Sequence, residues 1–277
     1  MLTTSETPAR RSSEPSELSE PSELTEPAEA LTRYDLVVLS PHLDDAALSC
    51  GGSIHRCSRD GGRVLVATLF AGDLPAAPSP FAREVEALWG LGDRVMEERR
   101  AEDDRAMSVL GAEVRRFDLV DALYRTDGDG QPLYPSLRAL RAEVRDPPAI
   151  QERVQACLEA LPSGGRLLAP LAVGGHVDHQ LTRSAAETVY DAAPELRFYE
   201  DYPYSRSRFA LRRALRRRRR WIQDLVELEQ PDVEARCAAI LAYPSQLGAA
   251  FDGERDVRRQ VRRQVSRRGG ERLWRRR

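Results

Sequence analysis

The chain has 277 residues, of which 41% are hydrophobic and 31% charged, and its formal net charge is −2. This length suffices for one large α/β domain with a hydrophobic core and an appended element. The 4 Cys lack CxxC spacing, which argues against a disulfide framework and fits a reducing compartment. No apolar run reaches the roughly 18 residues of a membrane span, and the first residues lack the apolar region of a signal peptide, so we predict a cytoplasmic protein.

Charge is distributed unevenly along the chain. Residues 1–33 contain a degenerate Pro, Ser and Glu repeat. Such a segment buries too little apolar surface to offset its ordering entropy, so we predict a disordered acidic leader. Residues 206–277 are crowded with Arg, and the chain contains no Lys. We therefore predict a folded core at 34–205 and an Arg-rich, mostly helical C-terminal part that packs on it.

Strands and helices alternate from Tyr34 onward. Short apolar runs predict five strands, at Asp35–Ser40, Arg63–Phe70, Glu113–Leu119, Arg166–Ala169 and Leu196–Tyr199. Helical patterns separate them, at Ala46–Arg59, Glu84–Gly111 with a break at 90–92, Ala149–Leu161 and Val177–Ala193. Residues 121–148 are predicted to form a long loop with a short helix. This alternation predicts an α/β fold, a Rossmann-like three-layer sandwich with a mostly parallel sheet and a helical basic C-terminal extension.

Two short polar segments each follow a predicted strand. Pro41–Asp45 follows the first strand, and His176–His179 follows the fourth through Gly174 and Gly175. Ligands bind at the carboxyl ends of strands in open α/β sheets, so both segments are expected on one rim. A catalytic zinc takes three such imidazole or carboxylate ligands and leaves a position for water, and a second carboxylate beside it can take the proton of that water.

Other interpretations of these residues compete with a metal site. An Asp at a helix start often accepts backbone N–H bonds as an N-cap. Two His spaced three apart on a helix are often only partly exposed surface residues. The conjunction of two such segments after buried strands favours the metal site.

The two segments resemble motifs of the PIG-L/LmbE-like family of zinc-dependent N-acetylglucosaminyl deacetylases. The resemblance rests on Ser40–Asp45 and Gly175–His179, and is supported by Arg99–Asp103, Tyr199–Tyr204 and Tyr243–Gln246. It implies a zinc ion with the ligands His42, Asp45 and His179. Another divalent metal such as Fe²⁺ fits the same ligand set.

The resemblance also implies roles in catalysis. Asp44 would be the general base, and His176 would stabilise the oxyanion in its protonated form or act as an acid, with Asp178 orienting it. The implied reaction removes an N-acyl group, often acetyl, from an amino sugar or a related small-molecule amide. Family members often carry Glu directly after the paired Asp, where this chain has Ala46, so the substrate class stays open.

Two further residues are candidate contacts to substrate. Arg99 falls in the motif-like helix, where a pair with Glu102 or a solvated helix face are the two interpretations. Asp73 follows the second predicted strand, where a loop-capping role competes with a substrate contact. The predicted partner is a small N-acylated molecule.

A basic run, Arg216–Arg220, leaves another function to consider. Such a run is typical of a nucleic-acid or anionic-substrate patch, and also of a solvated helical face paired in part with the acidic leader. We favour the solvated face, because no nucleic-acid-binding motif accompanies the run. A nucleic-acid-binding protein and a non-catalytic metal-binding protein remain the two alternatives. The oligomeric state is not predicted from the sequence.

Overall fold

The computed structural model describes residues 33–162, 164–190, 193, 195–215, 220–248 and 250–277. The predicted leader therefore lies outside the described residues except for Arg33. Residues 216–219 of the basic run lie outside them as well. Residues from Arg33 to Arg277 form one compact unit.

Seven strands form a single sheet. They are β1 (Leu36–Ser40), β2 (Val64–Thr68), β3 (Glu113–Arg116), β4 (Arg166–Pro170), β5 (Leu196–Tyr199), β6 (Trp221–Val226) and β7 (Glu271–Arg276). Their order across the sheet is β3-β2-β1-β4-β5-β7-β6. The first five strands pair in parallel, whereas β7 is antiparallel to both of its neighbours. The predicted α/β fold with a mostly parallel sheet is confirmed.

Ten α-helices occur in the described residues, two of them, Leu137–Leu140 and Pro244–Leu247, only one turn long. They are α1 (Asp45–Arg59), α2 (Pro80–Trp89), α3 (Val95–Leu110), α4 (Leu137–Leu140), α5 (Pro148–Glu159), α6 (Val177–Val189), α7 (Arg208–Leu215), α8 (Gln230–Leu241), α9 (Pro244–Leu247) and α10 (Glu254–Arg268). The expected break near residue 90 separates α2 from α3, because Gly90 ends α2 in the left-handed conformation, with φ 67°. That conformation is common after the last residue of a helix and is easiest for glycine.

Helices cover both faces of the sheet. Successive strand side chains point to opposite faces. Accordingly, Val37 and Leu39 of β1 pack with residues of α5 and α6, whereas Leu36 and Val38 pack with residues of α1, α3 and α8. Both faces of β1 are therefore buried, and the sheet is the middle layer of three.

The C-terminal part adds β6 and β7 to the sheet, in addition to the helices expected there. Five of the six residues of β7 are Glu, Arg or Trp, and Leu273 is its only aliphatic residue. This composition lacks the apolar run of a central strand. β7 nevertheless pairs on both sides, with β5 and with β6, and β6 is the strand at that edge of the sheet.

Glu271, at the start of β7, connects the C-terminal part to α1 through hydrogen bonds. Helix α1 is kinked at Cys50, where φ is −140°. The Glu271 carboxylate accepts the backbone N–H groups of Gly52 and Ser53 at 3.1 and 2.8 Å. It also lies 3.0 Å from the guanidinium of Arg236, which is fully buried. One buried carboxylate thus satisfies amides next to the kink in the helix that begins at Asp45.

Many described arginines of the C-terminal part pair with carboxylates of the same chain. Arg258 and Arg262 contact Glu234 at 2.7 Å each. Arg268 and Arg272 contact Glu200 at 2.5 and 2.9 Å. These four side chains serve internal ion pairs. Within the described residues, no helix has the length and apolarity that a membrane crossing requires.

Candidate metal centre and active site

The loop after β1 presents three polar side chains at the carboxyl edge of the sheet. The backbone N–H of His42 donates to Asp45 Oδ2 at 2.9 Å, which closes a tight turn. Asp44, between them, has φ 128° and ψ −32°. A residue other than glycine in such a conformation stores of the order of 1–3 kcal/mol of strain, and such strain is concentrated at functional sites.

Asp44 occupies the N-cap position of α1, where a capping role competes with a catalytic one. Its side chain makes no cap hydrogen bond with the described residues of the helix. Burial raises the pKa of Asp44 to about 7, with a further contribution from the negative charge of Asp45 and an opposing one from Arg99. The carboxylate is therefore not engaged as a helix cap.

Two histidines converge on Asp45, and each is held by another carboxylate. His42 Nε2 lies 3.0 Å from Asp178 Oδ2, and His179 Nδ1 lies 2.6 Å from Asp201 Oδ1. The remaining ring nitrogens, Nδ1 of His42 and Nε2 of His179, each lie 3.2 Å from Asp45 Oδ2. Each imidazole thus has one nitrogen fixed by a carboxylate and the other directed at Asp45.

This arrangement fits a metal ion. Metal-binding histidines usually donate their second ring nitrogen to a carboxylate or carbonyl, which fixes the ring orientation. Two ligands bound at ~2.1 Å to a tetrahedral zinc lie about 3.4 Å apart, close to the 3.2 Å between Asp45 and each ring nitrogen. Ligand atoms of His42, His176 and His179 also lie within 4.8 Å of one another. The donor set of imidazole and carboxylate suits zinc or Fe²⁺.

Buried charges of both signs lie close together around Asp45 and His179. Burial disfavours the imidazolium form of His179, yet the carboxylates of Asp45 and Asp201 raise its pKa to about 10. Burial likewise opposes ionisation of Asp45, but the two histidines hold its pKa well below its usual range. The buried carboxylates of this site therefore need nearby positive charge. A bound cation would supply it.

His176 completes the cluster from the start of α6. Its ring centroid lies 4.9 Å from that of His42 and 5.4 Å from that of His179. The backbone N–H of Asp178 donates to His176 Nδ1 at 3.3 Å, which leaves the proton of the neutral ring on Nε2. Burial and the charge of His42 lower the pKa of His176 to about 4. The structure thus leaves Nε2 as the ring nitrogen of His176 that can face a bound oxygen, and the role of His176 stays a prediction.

The Asp178 side chain contacts residues other than its expected partner, His176. Its carboxylate accepts from Arg125 Nη2 at 2.5 Å and from the backbone N–H of Ala122 at 2.9 Å, in addition to facing His42. Burial opposes its ionisation, but the Arg125 guanidinium and His42 hold its pKa below its usual range. Asp178 therefore supports His42.

The two predicted substrate contacts lie in different surroundings. Arg99 is only 5% exposed. It donates to the Leu43 carbonyl at 3.1 Å and stacks 4.8 Å above the Trp89 ring, so it supports the loop that carries Asp44. The Glu102 carboxylate instead accepts from the backbone N–H and hydroxyl of Ser245. Asp73 lies in an exposed loop, where it pairs with Arg100 at 2.6 Å.

Three residues of the site were not assigned from the sequence. Asp201 follows β5 at the same edge of the sheet, so the rule that located the two motif segments also applies to it. Asp121 Oδ2 lies 3.6 Å from His42 Nε2. Arg125 lies in the long loop after β3 and reaches Asp178 from there; no sequence pattern indicates this role.

The chain matches one protein family and several deacetylases. The family model described as PIG-L, GlcNAc-PI de-N-acetylase, matches residues 37–190. A 2'-N-acetylparomamine deacetylase of Streptomyces fradiae is 37% identical over 188 residues, which cover 66% of this chain and 62% of that protein. A protein of the same name from Niallia circulans is 28% identical over 182 residues, which cover 60% of this chain and 66% of that protein. The matches span slightly less than two thirds of both relatives.

Solved structures with the same fold include two deacetylases of antibiotics. The zinc-inhibited form of a teicoplanin deacetylase aligns with a TM-score of 0.71 and 27% identity, over 89% of this chain and 99% of that chain. The deacetylase of the A40926 pseudoaglycone aligns with a TM-score of 0.67 and 29% identity, over 88% of this chain and 97% of that chain. The alignments extend beyond residue 190 and therefore include much of the C-terminal part.

Proposed function

We propose, from the premise that the chain belongs to the PIG-L family, that it is a metal-dependent hydrolase which removes an N-acetyl group from an amino sugar. The premise agrees with the resemblance drawn from the two motif segments. The similar proteins are named for deacetylation of N-acetylparomamine and of teicoplanin. Zinc is the proposed metal.

One observation carries the proposal. Two imidazole nitrogens converge at 3.2 Å on the carboxylate of Asp45, while Asp44 lies beside them in a strained conformation without capping its helix. A structural role for Asp44 would use its carboxylate as a cap. A carboxylate kept beside a cation site is what a general base requires.

His42, Asp45 and His179 would hold the cation, which when bound supplies Lewis-acid chemistry at the amide carbonyl and lowers the pKa of water. Asp44 accepts a proton from the water that attacks the carbonyl carbon. The Nε2–H group of neutral His176 donates a hydrogen bond to the oxygen on which negative charge develops. The proton taken by Asp44 is then passed to the departing nitrogen, which leaves as an amine with acetate as the second product.

The proposal is tested with zinc-loaded protein and a panel of N-acetyl amino sugars, including N-acetylglucosamine and 2'-N-acetylparomamine, with acetate release as the readout. We expect Asp44→Asn to lower kcat by a factor of about 10³ or more, since general-base catalysis alone contributes about 10²–10⁴-fold. The same variant should keep its zinc in elemental analysis, because Asp44 is not among the proposed ligands.

Asp118→Asn is the matched control. Asp118 is another acidic loop residue, but its side chain is 93% exposed. The activity of the Asp118→Asn variant should therefore equal that of the unaltered protein. Normal turnover by Asp44→Asn would overturn the base assignment. Tight zinc binding without acetate release from any member of the panel would instead support the alternative of a non-catalytic metal-binding protein.

A further inference from the structure

A cavity of about 620 Å³ lies beside the candidate centre. Its lining includes Gly174 and Gly175, which directly precede His176. The volume falls within the range of about 300–1,000 Å³ that is typical of small-molecule sites. The cavity borders the loop that leads from β4 into the candidate centre.

A stacked pair of side chains, Arg141 and Tyr204, borders the cavity. The Arg141 guanidinium lies 5.1 Å from the centroid of the Tyr204 ring, and Arg141 lines the cavity. Tyr204 packs so closely on Gly174 that a Cβ there would lie 2.6 Å from the ring. Tyr204 therefore packs against the loop that precedes His176, and its stacking partner lines the cavity.

Helix α7 forms another wall of the cavity. Phe209, in its first turn, is 75% exposed and lines the cavity together with Ala210, Arg213 and Ala214. A ring in this position offers a flat apolar surface to a bound molecule.

The charged side chains that line the cavity are mainly cationic. They comprise three guanidinium groups and two carboxylates: Arg141, Arg183, Arg213, Glu143 and Glu187. Glu187 is already paired with Arg183 and Arg276. Arg141 and Arg213 then outnumber the single remaining carboxylate, Glu143, so the charge of the lining is net positive. Guanidinium groups hold carboxylate or phosphate groups with directed hydrogen bonds.

We propose that this cavity is a specificity subsite for the part of the substrate attached to the amino sugar, and that it selects a planar apolar aglycone bearing an anionic group. Phe209 packs on the apolar part, and Arg213 and Arg141 hold the anion. The inference rests on the proposed function, because it assigns the sugar amide to the neighbouring centre.

The test compares two N-acetylglucosamine glycosides of equal size, one with a p-carboxyphenyl aglycone and one with an uncharged p-carbamoylphenyl aglycone. We expect Arg213→Ala to raise KM for the carboxyphenyl glycoside about tenfold, the loss of roughly 1.4 kcal/mol of binding, with little change in kcat. Arg213→Glu should raise it further, and neither variant should alter KM for the carbamoylphenyl glycoside. Phe209→Ala should raise KM for both.

Arg105→Ala is the matched control, since Arg105 is exposed on α3 and outside the cavity lining. It should leave both KM values unchanged. Equal KM values for the two glycosides in the unaltered protein, unaffected by Arg213→Glu, would overturn the subsite.

A binding measurement separates this inference from the proposed function. Calorimetry with the p-carboxyphenyl and p-carbamoylphenyl glucosides, which lack any amide on the sugar, requires no turnover. Preference for the carboxyphenyl glucoside, abolished by Arg213→Glu, would support the subsite even if no acetate were released from any substrate. Absence of that preference would refute the subsite even if the enzyme proved to be a deacetylase.

Discussion

Asp201 Oδ1 lies 2.6 Å from Nδ1 of His179, and Asp201 is completely buried. The second carboxylate oxygen of Asp201 accepts the backbone N–H of Val173 at 2.7 Å. One side chain at the end of β5 therefore fixes the loop after β4 and the orientation of an imidazole on α6. The orientation directs His179 Nε2 at Asp45, so the contact prepares the site for a cation.

Replacement of Asp201 should weaken metal binding. We expect Asp201→Asn to lower zinc affinity about 10–100-fold, the usual cost of removing a carboxylate that supports a metal-binding histidine. Competition with a chromophoric chelator measures the affinity. Since a ligand that binds only the folded state stabilises it by mass action, the increase in Tm on adding zinc should also shrink.

Asp118→Asn provides the comparison for this experiment as well, because it removes an exposed carboxylate. Its zinc affinity and its zinc-dependent increase in Tm should match those of the unaltered protein. If Asp201→Asn bound zinc as tightly as this control, Asp201 would have no role in preparing the site.

The Glu271 contact predicts a large loss of stability when its charge is removed. Glu271→Gln keeps the shape of the side chain but leaves the fully buried Arg236 without its carboxylate partner. We expect the free energy of unfolding to fall by about 3 kcal/mol, because breaking a buried ion pair leaves an uncompensated charge. Urea unfolding monitored by circular dichroism measures the change.

Glu254→Gln is a suitable comparison, since Glu254 pairs with Arg258 on an exposed face of α10. Loss of this ion pair should lower the free energy of unfolding by less than about 0.5 kcal/mol, as for other exposed helix pairs. A double variant with Arg236→Met should be less destabilised than Glu271→Gln alone. Equal losses in the free energy of unfolding for the two Glu variants would contradict the role of Glu271 in joining β7 to α1.

Gly52→Ala should destabilise the protein by steric overlap. Gly52 lies in α1, where alanine normally favours the helix. Here, however, an added Cβ would lie 2.4 Å from Leu228 Cδ1 and 3.0 Å from Glu271 Oε1. We expect a loss of about 1–3 kcal/mol, typical of overpacking, and partial recovery in the double variant with Leu228→Ala.

Gly248→Ala tests whether the effect is local. An added Cβ at Gly248 meets no described atom within 4 Å, and its φ of −59° suits alanine. This variant should be as stable as the unaltered protein or slightly more stable. A similar loss in both variants would contradict the assignment of the Gly52→Ala effect to the contact with Leu228.

The sequence was informative where an apolar run that predicts a strand is followed directly by a polar motif. The apolar runs located the five parallel strands, and the rule that loops at strand carboxyl ends bind ligands brought Pro41–Asp45 and His176–His179 to one rim. The predicted fold and family are both confirmed. The ligand set, the base and the cytoplasmic location stay predictions.

The sequence was less informative where charged residues form regular structure. β7 consists mainly of charged residues and contains no apolar run. Only its pairing with β5 and β6 identifies it as a strand. The sequence likewise did not indicate partners for the arginines after residue 220, several of which are paired with Glu200 and Glu234. Long-range ion pairs leave no periodic signal.

The sequence by itself determined that the two motif segments lie on one edge of the sheet, because strand–loop–helix order fixes the edge at which each loop lies. Tertiary structure decided what each side chain does there. It directed Asp178 to His42 and assigned Asp201 to His179. It also turned Asp44 away from its helix cap and opened a cavity beside His176. These outcomes depend on distances between residues far apart in the chain, which local pattern and spacing do not encode.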